Sequence, residues 1–142
     1  MSKGDTFEND LLKLIFNGTA IANLADNAAS SPLTSLYVAL HTTDPGEGGS
    51  QTTNEVAYTS YARIAVPRNS TGFTVTGNSV SPVNDVNFPT ATGGSATATY
   101  FSIGTALSGA GKILYSGTLS PAIVISTGVP PVITNGTTIT ED

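Results

Sequence analysis

The sequence predicts an all-β fold: an antiparallel β-sandwich, jelly-roll-like, of about eight strands, with one N-terminal amphipathic helix. Three observations support this fold class. From Pro32 onward, short runs of β-branched and aromatic residues alternate with turn residues. Ser and Thr supply about a quarter of the chain, and the β-branched Thr favours strands. A helical spacing of apolar residues occurs near the N-terminus and is not repeated later.

The helix is predicted over about residues 5–17. Asp5 is a good N-cap, Glu8 three residues later completes a capping box, and Gly18 is a suitable C-terminal stop. The apolar residues that share one face of this helix are Phe7, Leu11, Leu14 and Ile15. Two interpretations of that face stay open: it packs on the protein's own sheet, which we favour, or it lies on a partner as a docking arm.

The strands are predicted where runs of β-forming residues are bounded by turn residues. These runs are 36–42, 61–66, 72–76, a short segment through Val83, Val86 and Phe88, 96–103, 112–119 and 122–126, with one or two edge strands after residue 130. The chain contains no internal repeat and no long linker. We therefore predict a single domain over residues 1–142, with the sandwich over about 33–142 and residues 127–142 as a candidate extended arm.

Charge composition argues against nucleic acid and membranes as partners. Only 11% of residues are charged, with 5 basic and 10 acidic residues and a formal net charge of -5. The basic residues are scattered, whereas nucleic-acid binding and adsorption to anionic lipid both need clustered Lys and Arg. No apolar run reaches the roughly 18 residues of a membrane helix. The polar, acidic N-terminus does not resemble a secretory signal, so we expect synthesis in a cytoplasm without export.

Catalysis is not expected from this sequence. The chain has no cysteine, which excludes disulfides, thiolate metal sites and cysteine nucleophiles. Its single histidine, His41, stands at the end of an apolar strand, and no G-x-S-x-G motif accompanies it. We expect His41 to hydrogen-bond to the backbone or to face solvent. Glu55 and Asp85 could approach each other as a carboxylate pair, but a chain with 10 acidic residues yields many such pairs by accident.

Metal and cofactor sites are not expected either. Asp44 and Glu47 stand close together in a Gly-rich loop, but Ca²⁺ needs roughly six to eight oxygen ligands and the EF-hand pattern is absent. We interpret this loop as ordinary turn chemistry. Gly104, Gly109 and Gly111 do not precede a predicted helix, so phosphate binding is not expected. The 5 tyrosines are expected to pack in the core or at sheet edges rather than to stack on sugars.

One part of the sequence resembles a known family. Residues 36–47, LYVALHTTDPGE, are followed by residues 54–68, NEVAYTSYARIAVPR. With the preceding helix, these segments resemble a family of small tailed-bacteriophage virion proteins, in which such a strand, a DPGE-type loop and an E-V-x-Y-x-x-Y-x-R segment follow one another. The resemblance covers nearly the whole chain, is strongest over residues 36–68 and carries no catalytic group.

The resemblance implies a structural role in a phage particle. Members of this group are similar to capsid cement or decoration proteins, which clamp neighbouring capsid subunits from outside, and are also described as tail-fibre proteins. We favour a cement protein on the outer face of the major capsid protein shell, since the chain is acidic and lacks a fibre-like repeat. A tail-fibre or receptor-binding component is the alternative, followed by a carbohydrate-binding module and an enzyme. The expected partners are the major capsid protein and further copies of the chain, as a dimer or trimer.

Two segments are candidate interaction surfaces. The loop over residues 43–54 is the longest turn-rich segment and should be exposed, and the tail after Thr127 carries few charges. Edge strands add a further route, because an unpaired edge accepts a partner strand. Many weakly bound copies would act together through avidity. The residues that we single out for these surfaces are Asp44, Glu47, Gln51, Asn54, Pro130, Pro131, Ile133 and Ile139.

Overall fold

The fold is mostly β. The computed structural model describes residues 3–21, 24–25 and 31–142, and within them it contains one α-helix and nine β-strands in three antiparallel sheets. The predicted all-β class with an N-terminal helix is confirmed, and the sheets are consistent with the predicted β-sandwich. No helix in this described part of the chain is long and apolar enough to cross a membrane.

The elements follow one another as a helix and then strands. The helix α1 spans Asp5–Asn17, and the strands are β1 Ser35–His41, β2 Ile64–Pro67, β3 Phe73–Thr76, β4 Ser79–Pro82, β5 Val86–Asn87, β6 Ala96–Gly104, β7 Ile113–Ile125, β8 Val132–Ile133 and β9 Ile139–Thr140. The strand order is β2-β1-β6-β7 in a four-stranded sheet, β3-β4-β9 in a three-stranded sheet and β5-β8 in a two-stranded sheet.

The contacts within the chain divide it into two compact units. The first unit comprises Met1–Ser35, Val66–Asp85 and Thr134–Asp142, and the second comprises Leu36–Ala65 and Val86–Ile133. Each unit joins segments that are distant in sequence, so neither corresponds to a continuous half of the chain. The single domain over residues 1–142 stays a prediction.

In the first unit, helix α1 packs on strands β3 and β4 of the protein's own sheet. The prediction of the buried face was wrong, because the buried residues are Glu8, Leu12 and Phe16 and not the neighbouring stripe. Phe16 makes an edge contact with Phe73, with ring centroids 4.9 Å apart. The apolar residues Leu11, Leu12, Leu14, Ile15 and Phe16 cover much of the helix circumference, so their spacing alone does not identify the buried face.

The ends of helix α1 differ from the predicted caps. Gly4 is the N-cap and no side chain caps the helix there, so the predicted Asp5 capping box is wrong. Gly18 ends the helix in the left-handed conformation, with a φ of 65°, and its N–H donates to the Lys13 carbonyl oxygen. Arg68 adds a contact that the sequence did not indicate: its guanidinium donates to the Ile15 and Leu14 carbonyl oxygens at the last turn. A cation at the C-terminal end of a helix also interacts favourably with the negative pole of the helix dipole.

In the second unit, strand β1 lies in the middle of the four-stranded sheet and pairs with β6 from Tyr37↔Gly104 to His41↔Tyr100. Its burial follows from this central position. The buried apolar residues that these two strands contribute are Leu36, Val38, Ala39, Leu40, Ala98, Phe101 and Ile103. Burial of each larger aliphatic or aromatic side chain contributes about 1.5–3 kcal/mol to stability.

Strand β7 unites two predicted strands. Both ends of strand Ile113–Ile125 pair with β6, and the register shifts between the pairs Ala98↔Ile123 and Tyr100↔Thr118. The cis Ser120–Pro121 peptide bond lies within that shift. The sequence predicted two strands here, over 112–119 and 122–126, because the turn-like residues at the centre of this irregularity interrupt the sequence pattern without ending the strand.

The tail after Thr127 pairs with other strands of the chain. Strand β8 pairs with β5 in the second unit, where Ile133 lies opposite Val86. Strand β9 pairs with β4 in the first unit, where Ile139 lies opposite Val80. The tail therefore belongs to the sheets in this structure and does not extend from them as an arm.

Candidate protein-binding surface

The hairpin between β6 and β7 presents the most distinctive exposed feature of the second unit. Residues 105–111, here called the anchored loop, connect Gly104 to the start of β7. At its tip Leu107 is 56% exposed, and residues 108–110 are exposed as well. The tip sequence, LSGA, carries no charge. An exposed leucine on a loop is unremarkable alone, but here the backbone beneath it is fixed by buried polar groups.

Gln51 provides the first anchor. Its side chain is fully buried, its Nε2 donates to the Tyr37 carbonyl oxygen at 3.1 Å, and its Oε1 accepts from the Ala106 N–H at 3.0 Å. Its backbone N–H donates to the Gly111 carbonyl oxygen at 2.9 Å. A Cβ at Gly104 or Gly111 would lie 2.2 Å from this side chain, so a larger residue at either position would displace the Gln51 side chain from its present place. Gln51 thus joins the anchored loop to strand β1.

Arg63 provides the second anchor. Its guanidinium forms a bidentate pair with Glu55, with Nε–Oε1 at 2.7 Å and Nη2–Oε2 at 2.8 Å. The same guanidinium donates to the Ala106 carbonyl oxygen at 2.9 Å and to the Gly109 carbonyl oxygen at 2.8 Å. The Arg63 side chain is 2% exposed, so these bonds are made where an unpaired charge would be costly. The hydrogen bonds to Glu55 raise the pKa of Arg63, which keeps the guanidinium charged.

Tyr61 connects this ion pair to strand β1. Its hydroxyl donates to Glu55 Oε1 at 2.9 Å and accepts from the Leu40 N–H at 3.1 Å. Burial raises the pKa of Tyr61 well above its ordinary value, so the phenol stays neutral and remains a donor. Its ring makes an edge contact with Tyr58 and stacks on Phe88, with centroids 5.4 and 6.3 Å apart.

His41 takes the first of the two roles expected for it, a hydrogen bond to backbone. Nδ1 lies 2.8 Å from the Thr53 carbonyl oxygen and Nε2 lies 2.8 Å from Ser102 Oγ. Because a carbonyl oxygen can only accept, Nδ1 carries the proton and the Ser102 hydroxyl donates to Nε2. Burial lowers the pKa of His41, which favours this neutral form. His41 and Ser102 are both 0% exposed, so a substrate has no access to this Ser–His pair.

A cleft lies beside the anchored loop. It has a volume of about 390 Å³ and is lined by Glu55, Tyr61, Ala62, Arg63, Leu107, Ser108 and Gly109. Its ionic groups already bond to each other and to loop carbonyls, so they shape the cleft more than they offer free ligands. This combination of a projecting leucine and an adjoining cleft suits contact with another protein surface.

The predicted loop at 43–54 is exposed at three of its four singled-out residues. Asp44, Glu47 and Asn54 are exposed, whereas Gln51 is buried and therefore supports the surface instead of forming it. Asp44 Oδ1 accepts from the Gly46 N–H at 2.8 Å, and Asn54 Nδ2 donates to the Asp44 carbonyl oxygen at 3.0 Å. These bonds are turn chemistry, as expected for this loop. The roles of these residues in partner binding stay predictions.

The singled-out tail residues contribute mainly to the protein's own sheets. Pro131 and Ile133 are buried, Ile139 is half-buried in β9, and Pro130 is exposed. The Pro131 carbonyl oxygen accepts from the Phe88 N–H at 2.9 Å. Of these four residues, Pro130 therefore has the exposure that a direct contact needs.

Sequence reasoning missed the polar network formed by Glu55, Tyr61 and Arg63. Glu55 pairs with Arg63, and Asp85 Oδ1 accepts from the Asn135 N–H at 2.8 Å. A signal was present, since Arg63 is a lone cation within an otherwise apolar strand-forming run. A buried cation of this kind needs a carboxylate partner.

Comparison with known proteins gives one family match. A family model described as Podophage GP4 fiber I protein gp80 matches residues 2–140, which include the anchored loop and the polar network beneath it. A search of curated proteins found no match.

Proposed function

The chain belongs to the Podophage GP4 fiber I protein gp80 family, a family of phage virion structural proteins, and from this premise we propose that it acts by binding other proteins of the particle. The observation that supports this mode of action is the anchored loop. Buried hydrogen-bond donors and acceptors of Gln51 and Arg63 fix a loop whose uncharged tip remains exposed. Rigid presentation of an apolar tip reduces the entropy lost on binding.

Within the particle, we favour a fibre-type component over capsid cement. The family description names a fibre protein, and this supports the location that the sequence alone ranked second. Capsid cement on the outer face of the major capsid protein shell is the second candidate. It is supported by the low charged fraction of 11% and by the absence of a sequence repeat of the kind that long fibres show.

A binding role rather than an enzymatic one is also part of this proposal. The Ser–His pair is buried, and the carboxylate beside the cleft is held in a bidentate ion pair with Arg63. The Ser–His pair joins strands β1 and β6, and the ion pair lies beneath the anchored loop. Neither leaves a nucleophile or general base within reach of a substrate in the cleft.

Purified particles and tailless capsid shells distinguish the two locations. Immunogold labelling would give the position, and quantitative mass spectrometry would give the copy number relative to the major capsid protein. A fibre-type component should be labelled at the tail and be lost from tailless shells. Capsid cement should remain on tailless shells in fixed proportion to the major capsid protein. Absence from purified particles of both kinds would contradict a virion role for this chain.

A further inference from the structure

We propose that the anchored-loop tip and its cleft bind a second copy of this chain, with Leu107 of each copy entering the cleft of the other. This inference rests on the proposed protein-binding role of the anchored loop and names a second copy of this chain as the protein bound there, wherever in the particle the protein lies. A contact about a two-fold axis uses the same patch on both copies, so the patch must be complementary to itself. Here one patch offers both a projection and an adjoining cleft.

The charge distribution favours a second copy as the occupant. The chain has a formal net charge of -5, so two copies repel one another over most of their surfaces. At the cleft, the Glu55 carboxylate is matched by the Arg63 guanidinium, and the loop tip is uncharged. Two acidic copies would therefore meet with little repulsion here.

The loop also has the rigidity that a small contact needs. Besides the bonds from Gln51 and Arg63, the Thr105 N–H donates to the Lys112 carbonyl oxygen at 3.1 Å, and the Lys112 N–H donates to Thr105 Oγ1 at 3.1 Å. Gly109 adopts a φ of +74°, a conformation that side chains rarely tolerate. Because the tip is fixed before binding, little conformational entropy is lost when two copies associate. More of the free energy gained by burying one leucine side chain therefore contributes to binding.

Sedimentation velocity of the full chain tests this contact over about 1–200 µM, the range in which small apolar interfaces dissociate. The wild type should show a reversible monomer–dimer equilibrium. Leu107→Asp should raise the apparent dissociation constant about tenfold or more, since it removes the apolar projection and adds a charge. Leu107→Ser, which adds no charge, should weaken the dimer in the same direction.

Two further variants separate the cleft from general charge effects. Ala62→Arg blocks the cleft while moving the net charge toward zero, and it should weaken the dimer as Leu107→Asp does. Val124→Asp is the matched control, because Val124 is 70% exposed and does not line the cleft. It should leave the dimer unchanged. A wild type that stays monomeric throughout, a dimer indifferent to Leu107→Asp and Leu107→Ser, or equal weakening by Val124→Asp would each overturn the proposal.

Discussion

The two compact units are stabilised by different kinds of interaction. In the first unit, helix α1 lies on its sheet through fully buried apolar side chains, with Leu12, Phe16 and Phe73 at the centre. In the second unit, an apolar sheet core is supplemented by buried Gln51 and Arg63, whose side chains hold the anchored loop. Apolar packing dominates between the helix and its sheet, with Arg68 bonded to the last turn of the helix, whereas buried Gln51 and Arg63 fix where one exposed loop lies. Of the buried polar residues in the second unit, Gln51 and Arg63 are the two that lie beneath this exposed surface.

The largest effect is expected for Phe16→Ala. This substitution removes the edge contact with Phe73 and leaves a cavity under helix α1, so the free energy of unfolding should fall by about 3–5 kcal/mol. Chemical denaturation measures the loss, and hydrogen exchange should rise in α1 and β3. The control Phe7→Ala, at a residue 39% exposed on the same helix, should change stability by less than about 0.5 kcal/mol. Equal losses in both variants would contradict the assigned buried face.

Arg63→Met should cost about 3 kcal/mol of unfolding free energy, because Glu55 then lies half-buried without its partner and two loop carbonyl groups lose their donor. Hydrogen exchange should rise at residues 105–111 more than in α1. The double variant Glu55→Met, Arg63→Met should recover part of the loss, since no unpaired charge remains. Lys3→Met, which breaks the solvent-accessible 2.7 Å pair with Glu141, should show no measurable change. If hydrogen exchange at residues 105–111 is unchanged in Arg63→Met, Arg63 does not anchor the loop.

Gln51→Leu should destabilise the protein by about 1–3 kcal/mol, because the Tyr37 carbonyl oxygen and the Ala106 N–H lose their buried partner. The volume of the side chain is nearly kept, so the loss reports hydrogen bonding and not a cavity. Asn9→Leu serves as the control, since it removes a solvent-accessible bond to the Gly77 carbonyl oxygen and should have a smaller effect. Equal effects of the two substitutions in denaturant titrations would argue against Gln51 as an anchor.

The smallest effect is expected from the titration of His41. Burial lowers its pKa in the folded state, so the unfolded chain takes up a proton near pH 6.5 that the folded chain does not. The free energy of unfolding should therefore fall as the pH is lowered below about 6.5, by at most about 1.4 kcal/mol per pH unit until the folded pKa is reached. Denaturation between about pH 7.5 and 5.5 gives this slope. His41→Gln should reduce this pH dependence of the free energy of unfolding. If the slope persists in His41→Gln, other titrating groups cause it.

Local elements of the fold were predictable from sequence because their signals are local. Helix α1 was predicted over the residues it occupies, and β1, β3 and β6 were placed to within a residue at each end. Strand β4 was missed, because SVSP contains one apolar strand former and a proline and so lacks an alternating pattern. The all-β class followed from many such segments together.

The candidate surface could not be predicted in the same way, because the side-chain bonds that fix the loop from Gln51 and Arg63 span long sequence separations. Arg63 reaches a carbonyl group 46 residues later, and the Gln51 side chain reaches an N–H group 55 residues later. No local pattern encodes such pairs. The sequence did contain indications of these bonds, namely a lone arginine in a strand-forming run and glycines at 104 and 111. Only the fold shows which groups they contact.

Under the proposed function, the anchored loop is the surface through which this virion protein contacts another protein. A cryo-electron microscopy reconstruction of the purified particle, at a resolution that shows side chains, tests it most directly. We expect Leu107 and the neighbouring tip residues to be buried against a neighbouring chain, while Gln51 and Arg63 keep their bonds to the loop. If the tip faces solvent in every copy, the anchored loop is not a protein-binding surface.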